Sequence, residues 1–197
     1  MDIFFTADTH YAHRGITRGE SKWDDNSSCR DFDTVEDMND AIIENINNLV
    51  KPGDHLYHLG DVAFGRGPKQ IIEFRERIQC NNIFVFPGNH DYRLYKDVKM
   101  QSLFNKVRLK ARMKINGQLI VMQHFPELIW DMHNHGAWML HGHCHGSLSG
   151  PSINDVYNSR KIMDVGMDAH PEFRPFHFDE VKEVMDLRGI HFIDHHR

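Results

Sequence analysis

Ile3-Phe4-Phe5-Thr6-Ala7-Asp8-Thr9-His10 is an apolar run of strand length that ends on a carboxylate and an imidazole. The arrangement returns at His55-Leu56-Tyr57-His58-Leu59-Gly60-Asp61 and at Asn82-Ile83-Phe84-Val85-Phe86-Pro87-Gly88-Asn89-His90-Asp91. Further on, Leu119 to Gln123 runs into His124, and Ala137 to Leu140 runs into His141-Gly142-His143-Cys144-His145. Metal-binding side chains thus stand repeatedly where strands are predicted to end, the place at which the loops of an open α/β sheet converge on a ligand.

Between these strands the period changes. Val35, Met38, Ile42, Ile46 and Leu49 recur at spacings of three and four, which predicts an amphipathic helix between Thr34 and Pro52. A second helix is expected from near Pro68, carrying Ile71, Ile72, Phe74 and Ile78 and ending before Asn81. Such alternation of strand and helix argues for βαβ units. The second half differs: Phe104 to Ile115 and Gln118 to Gln123 flank Asn116-Gly117, a strong hairpin signal. Lys161 to Asp168 reads as a further strand and Asp179 to Leu187 as a last helix, with Gly189 just beyond it. The polar stretch from Gly15 to Arg30 reads as a surface loop, and the tail His191 to Arg197 as a short surface strand. With no internal repeat or composition break in 197 residues, one domain spanning 1–197 is expected.

Composition narrows the function classes. Hydrophobic residues make up 40% and charged residues 26%, and no apolar stretch is long enough to span a membrane. The first residues lack the positive region of a signal peptide, and three scattered cysteines make no disulfide framework, so a cytoplasmic protein is expected. A net charge of -5 with scattered basic residues does not advertise a nucleic-acid groove, although a nucleic-acid end stays open as a substrate.

Asp8 and His10, two apart, would share a face of a regular strand and can point at one ion. Asp61 adds a carboxylate able to bridge two cations and Asn89 a neutral amide oxygen, while His124, His143 and His145 add imidazole nitrogens. These are donors enough for two centres with water positions left over. Mixed nitrogen and oxygen donors without thiolate suit manganese, iron, zinc or nickel better than calcium. His141 extends the cluster, but three alternating histidines cannot all serve two centres, so it is assigned a supporting hydrogen bond, as is His58. Cys144, between two ligands, reads as a packed thiol. His13, Arg14 and Arg93 follow the motifs closely enough to reach a bound phosphate, or to be solvated loop residues.

The ordered set Asp8-Thr9-His10, Gly60-Asp61, Gly88-Asn89-His90-Asp91, His124 and Gly142-His143-Cys144-His145 resembles the calcineurin-like metallophosphoesterases, in wording closest to small bacterial and phage members. The resemblance implies an α/β fold of the metallophosphoesterase β-sandwich type, two mixed sheets flanked by helices, with the metal site at strand ends. It implies that Asp8, His10, Asp61 and His145 hold one divalent ion and Asp61, Asn89, His124 and His143 the other, manganese first. His90 is similar to the family's substrate-facing histidine, and Asp91 to the carboxylate that orients it. The implied activity is hydrolysis of a phosphodiester or phosphomonoester of a nucleotide or other small molecule by metal-activated water, with no protein nucleophile. A diester is preferred, because no large cap insertion interrupts the chain. The alternatives are a nuclease of the same family and a scaffold that keeps the fold for protein binding. The scaffold reading predicts substitutions at ligand positions, and none occurs. A metallo-β-lactamase-like reading wants an Asp-His pair after the His-x-His, where Gly146-Ser147 stands.

Overall fold

The protein is described here by a computed structural model covering residues 1–65, 67–148 and 157–191. Strands β1 (Ile3–Thr6), β2 (His55–His58) and β3 (Asn82–Val85) form as the apolar runs predict, each a residue shorter. They pair in parallel, and short strand β4 (Lys106–Val107) extends them beyond β3. The crossovers are α1 (Val35–Leu49) and α2 (Lys69–Arg77). Thr34 caps α1 by accepting the N–H of Asp37, satisfying one of the orphan donors of the first turn. Two short helices, α3 (Tyr92–Lys96) and α4 (Val98–Gln101), follow the third motif.

The hairpin is present but shorter than expected. Strand β5 (Lys110–Ile115) pairs antiparallel with β6 (Gln118–Gln123) across Asn116 and Gly117, which take φ of 47° and 85°. Left-handed dihedrals at both positions are what a two-residue hairpin of this hand requires. The earlier part of the predicted strand leaves at Lys106–Val107 to join the other sheet, so this apolar run serves two layers. Parallel strands β7 (Trp138–His141) and β8 (Ile162–Asp164) complete the second sheet. The stretch read as one strand to Asp168 instead turns into a 3-10 turn at Met167–Ala169. The chain returns through β9 (Phe176–His177), antiparallel to β1, into α5 (Phe178–Asp186). The orders are β4-β3-β2-β1-β9 and β5-β6-β7-β8.

Strand alternation distributes the core into layers. Phe4, Leu56, Ile83 and Val85 pack with Met38, Ile42, Ile46, Ile71 and Phe74 of the helices. Ile3, Phe5, Tyr57, Leu59 and Phe86 point the other way, against Ile120, Met122, Trp138 and Leu140 of the second sheet, and α5 adds Phe178, Val181 and Met185. The first sheet is therefore buried on both faces, which is why its strands read as continuous apolar runs. One correction concerns a loop. Ile16, Thr17, Cys29 and Arg30 are buried, so Gly15 to Arg30 is only partly a surface segment, and Thr17 bridges to Arg30. The tail expected as a strand lies outside the described residues beyond His191.

Leu56 is fully buried between β2 and the helices. Leu56→Ala should lower stability by about 2–5 kcal/mol, read as a lower denaturant midpoint with an unchanged slope.

Candidate metal centre

All five motifs meet at one end of the two sheets. The residues that carry them leave ordinary strand geometry: Asp8, His10, Asp61, His143 and His145 have φ of 53°, 46°, 53°, 71° and 48°. The shared face expected of Asp8 and His10 is therefore not that of a strand, because the chain turns left-handed at both residues. Such conformations cost of order 1–3 kcal/mol each at a non-glycine residue and persist where surrounding contacts over-determine them. Those contacts are visible. Asp91 accepts N–H groups from Asp61, Val62 and Gly88 at 2.7, 2.9 and 2.9 Å. Asp8 Oδ2 accepts the N–H of His143 at 2.8 Å, and Asp164 accepts those of Gly146 and Gly166 at 2.9 and 2.8 Å. His58, fully buried, hydrogen-bonds Thr9 Oγ1 at 2.9 Å and accepts the Gly60 N–H at 3.2 Å.

Within this frame the donors converge. Asp61 Oδ2 lies 3.6 Å from His10 Nε2 and 3.4 Å from His124 Nε2, while Asp61 Oδ1 accepts the backbone N–H of His90 at 2.8 Å. On one side Asp8, His10 and His145 bring ligand atoms within 4.8 Å of one another, and on the other Asp61, His124 and His143 do so. Asn89 Oδ1 is 3.1 Å from His124 Nε2, on the second side. Glycine makes the close approach possible: a Cβ on Gly88 would stand 2.3 Å from Asp61 Oδ1, and one on Gly142 would stand 2.7 Å from Asp8 Oδ2.

Asp8 Oδ1 is buried without a hydrogen-bond partner, 3.9 Å from the Nε2 atoms of both His10 and His145. A buried carboxylate oxygen left unpaired among imidazole nitrogens is costly unless a cation meets it. The donor set thus fits a metal. Burial pushes the Asp8 carboxyl up to about 7, against the pull of His145 and His124. Burial also raises Asp61, but the hydrogen bond and charge of His124 outweigh it and hold the group at about 2. His10 is driven well below its ordinary value by burial and by Arg30, which leaves it neutral and ready to ligate.

A layer behind the ligands fixes their tautomers. His124 Nδ1 donates to the Leu59 carbonyl at 2.8 Å, which turns Nε2 toward the cluster. His145 Nδ1 meets Asp168 Oδ2 at 2.6 Å, and Asp168 takes a two-pronged pair from Arg30 at 2.8 and 2.7 Å. Arg30 also donates to the carbonyls of Thr9, at 2.9 Å, and Asp8. Sequence reasoning missed both Asp168 and Arg30. Asp168 sits just past the strand that follows the last motif, a usable signal; Arg30, in a polar loop, had none. His141, buried, hydrogen-bonds the Gly142 carbonyl and Tyr157, behind the donor cluster.

Two expectations change. Both oxygens of Asp91 are taken by backbone N–H groups, so it ties the second and third motifs together instead of orienting the His90 ring. Arg14 is drawn away to Glu20 and Glu36, whose carboxylates neutralise it. Arg93 lies half-buried in α3. His90 is exposed, its ring 5.3 Å from that of His10. Cys144 is half-buried, and burial pushes its thiol up to about 12, so it is no nucleophile at neutral pH.

An α/β sandwich whose strand-end loops gather carboxylate, amide and imidazole donors in this way has the construction of a metal-binding hydrolase. A model of the family described as calcineurin-like phosphoesterase matches residues 1–171, and the chain belongs to that family. It is similar to the uncharacterised protein MJ1445 of Methanocaldococcus jannaschii, with 27% identity over 188 residues covering 93% of this chain and 91% of that one. A crystal structure of a protein of unknown function from Aquifex aeolicus, AQ665, has the same fold: TM-score 0.66 at 19% identity, over 93% of this chain and 98% of that one. Hydrolysis of a phosphate ester with divalent metal follows from the family, and no helix among the described residues is long and apolar enough to cross a membrane.

Asp168→Asn should weaken metal binding about 10–100-fold, read by titration with manganese. Metal must displace the proton that the raised Asp8 carries below about 7, and the protons that Asp61 and Asp168 help hold on His124 and His145, both raised overall despite burial. Affinity should therefore rise with pH through neutrality with net proton release, read by calorimetry in buffers of different ionisation enthalpy.

Proposed function

We propose that the protein is a phosphodiesterase using two divalent ions, manganese in preference to iron, zinc or nickel, with Asp61 as the bridge. In this reading Asp8, His10, Asp61 and His145 hold one ion, and Asp61, Asn89, His124 and His143 hold the other. The observation that carries it is Asp61 Oδ2, placed 3.6 and 3.4 Å from one imidazole of each set. Bound ions would supply Lewis acidity for activating water and neutralising phosphate oxygens.

The protein's own part is positioning and proton transfer. Asn89 adds coordination without negative charge, which keeps the site attractive to an anionic ester. His90 stands beside His10 with an exposed ring, close enough to Asp61 that their ligand atoms lie within 4.8 Å, and would protonate the leaving oxygen. Asp91 contributes by holding the backbone of Asp61 in place, and Arg93, two residues further along in α3, would offer a cation to a phosphate oxygen. Asn89, His90 and His143 are all exposed, so the cluster opens on the side where a phosphorus with two substituents would enter. This favours a diester over a monoester.

Release of p-nitrophenol from bis-p-nitrophenyl phosphate with added manganese, against the monoester, tests the reading. Asp61→Ala should abolish turnover and metal pairing together. His90→Ala should keep both ions and lose about 10²–10⁴-fold with alkyl leaving groups while changing little with p-nitrophenol. Equal losses on both would remove the proton-donor role. A steep fall of activity with salt would move the reading to a nuclease.

A further inference from the structure

We propose that the cleft beside the metal cluster is a stacking slot for a planar heteroaromatic ring, which makes the substrate a nucleotide ester. The phosphoester reading above supplies the position of the phosphate; the slot concerns the group attached to it. A cleft of about 560 Å³ is lined, among the described residues, by Phe64, Gly65, Asn89, His90 and Tyr92. That volume lies in the range of small-molecule sites. Its polar members, Asn89 and His90, belong to the cluster, so a ligand in the cleft has its anionic end already placed. Its two large members are flat and exposed: Phe64 by 36% and Tyr92 by 60%.

Phe64 is held as a platform. Its ring lies parallel to that of His13 at 3.7 Å with 8° between planes, and it meets His90 at 5.2 Å. Its N–H donates to the Tyr11 carbonyl at 2.8 Å. Trp23, 49% exposed, stands edge-on to His13 and continues the aromatic rim. Tyr92 is steadied by Lys96, whose Nζ donates to its hydroxyl at 3.2 Å and sits 4.6 Å from its ring centre. Aliphatic side chains would line a pocket for an alkyl group equally well. Rigid aromatic faces next to an anion site gain most from a π-surface, and a nucleobase attached to a phosphate has that shape.

The test compares two ligands that differ only in the base: the 5′-methylenephosphonate analogues of adenosine monophosphate and of ribose 5-phosphate. Neither has a P–O ester at that position to cleave, so affinity is read without turnover and apart from the assay of hydrolysis. With manganese-loaded protein, calorimetry should show the adenosine ligand binding about tenfold tighter or more. Phe64→Leu and Tyr92→Leu, which keep bulk and lose the aromatic face, should each remove most of that difference and leave the ribose ligand unmoved. Equal affinities for the two ligands, no binding of either, or a preference that survives both leucine variants would overturn the slot.

Discussion

Burial of several carboxylates in one small volume is the constraint on which the rest of this structure depends. Asp8, Asp61, Asp91 and Asp164 are all buried, and Asp168 lies close by. Uncompensated, each would be expelled or protonated. The fold compensates most of them from within. Asp91, Asp164 and one oxygen each of Asp8 and Asp61 accept backbone N–H groups, and Asp168 is paired with Arg30 and His145. Two oxygens are left facing imidazole nitrogens, Asp8 Oδ1 and Asp61 Oδ2. Asp8 Oδ1 has no partner and Asp61 Oδ2 is met by imidazole alone, so negative charge is focused where cations would sit.

The same hydrogen bonds solve a second problem. Donor side chains drawn from five separate segments can meet only if aimed inward, and a regular strand would send neighbouring residues to opposite faces. Left-handed turns at Asp8, His10, Asp61, His143 and His145 redirect them, and the carboxylate ties hold those turns. Arg30 reaches from a partly buried loop to the carbonyls of Asp8 and Thr9 and to Asp168, joining the first and last motifs. Electrostatic pairing and backbone geometry are here one device.

On the open side the design reverses. Asn89, His90 and His143 are exposed, and their neighbours are rings: Phe64 beside His90, and Phe125 with its centroid 4.5 Å from that of His143. A rigid, charged floor beneath an apolar, accessible rim suits an anionic ester with an attached hydrophobic group.

The order of strands and helices, the hairpin at Asn116-Gly117 and the clustering of donors at strand ends were legible in the sequence, because periodicity, turn chemistry and residue type are local properties of the chain. The resemblance to calcineurin-like phosphoesterases rested on the same local motifs, and the family match supports it. Arg30 was not legible, since its pairing with Asp168 spans 138 positions and it sits in no motif, and Asp168 was marked only by its place just past a strand. Nor was the task of Asp91, which a motif presents as the neighbour of His90 but folding turns toward the N–H groups of another loop. Residue types and their spacing determined what chemistry this protein can assemble. Only the tertiary structure decided which oxygens remain unpaired for that chemistry, because a hydrogen bond between distant segments exists only once both are brought together.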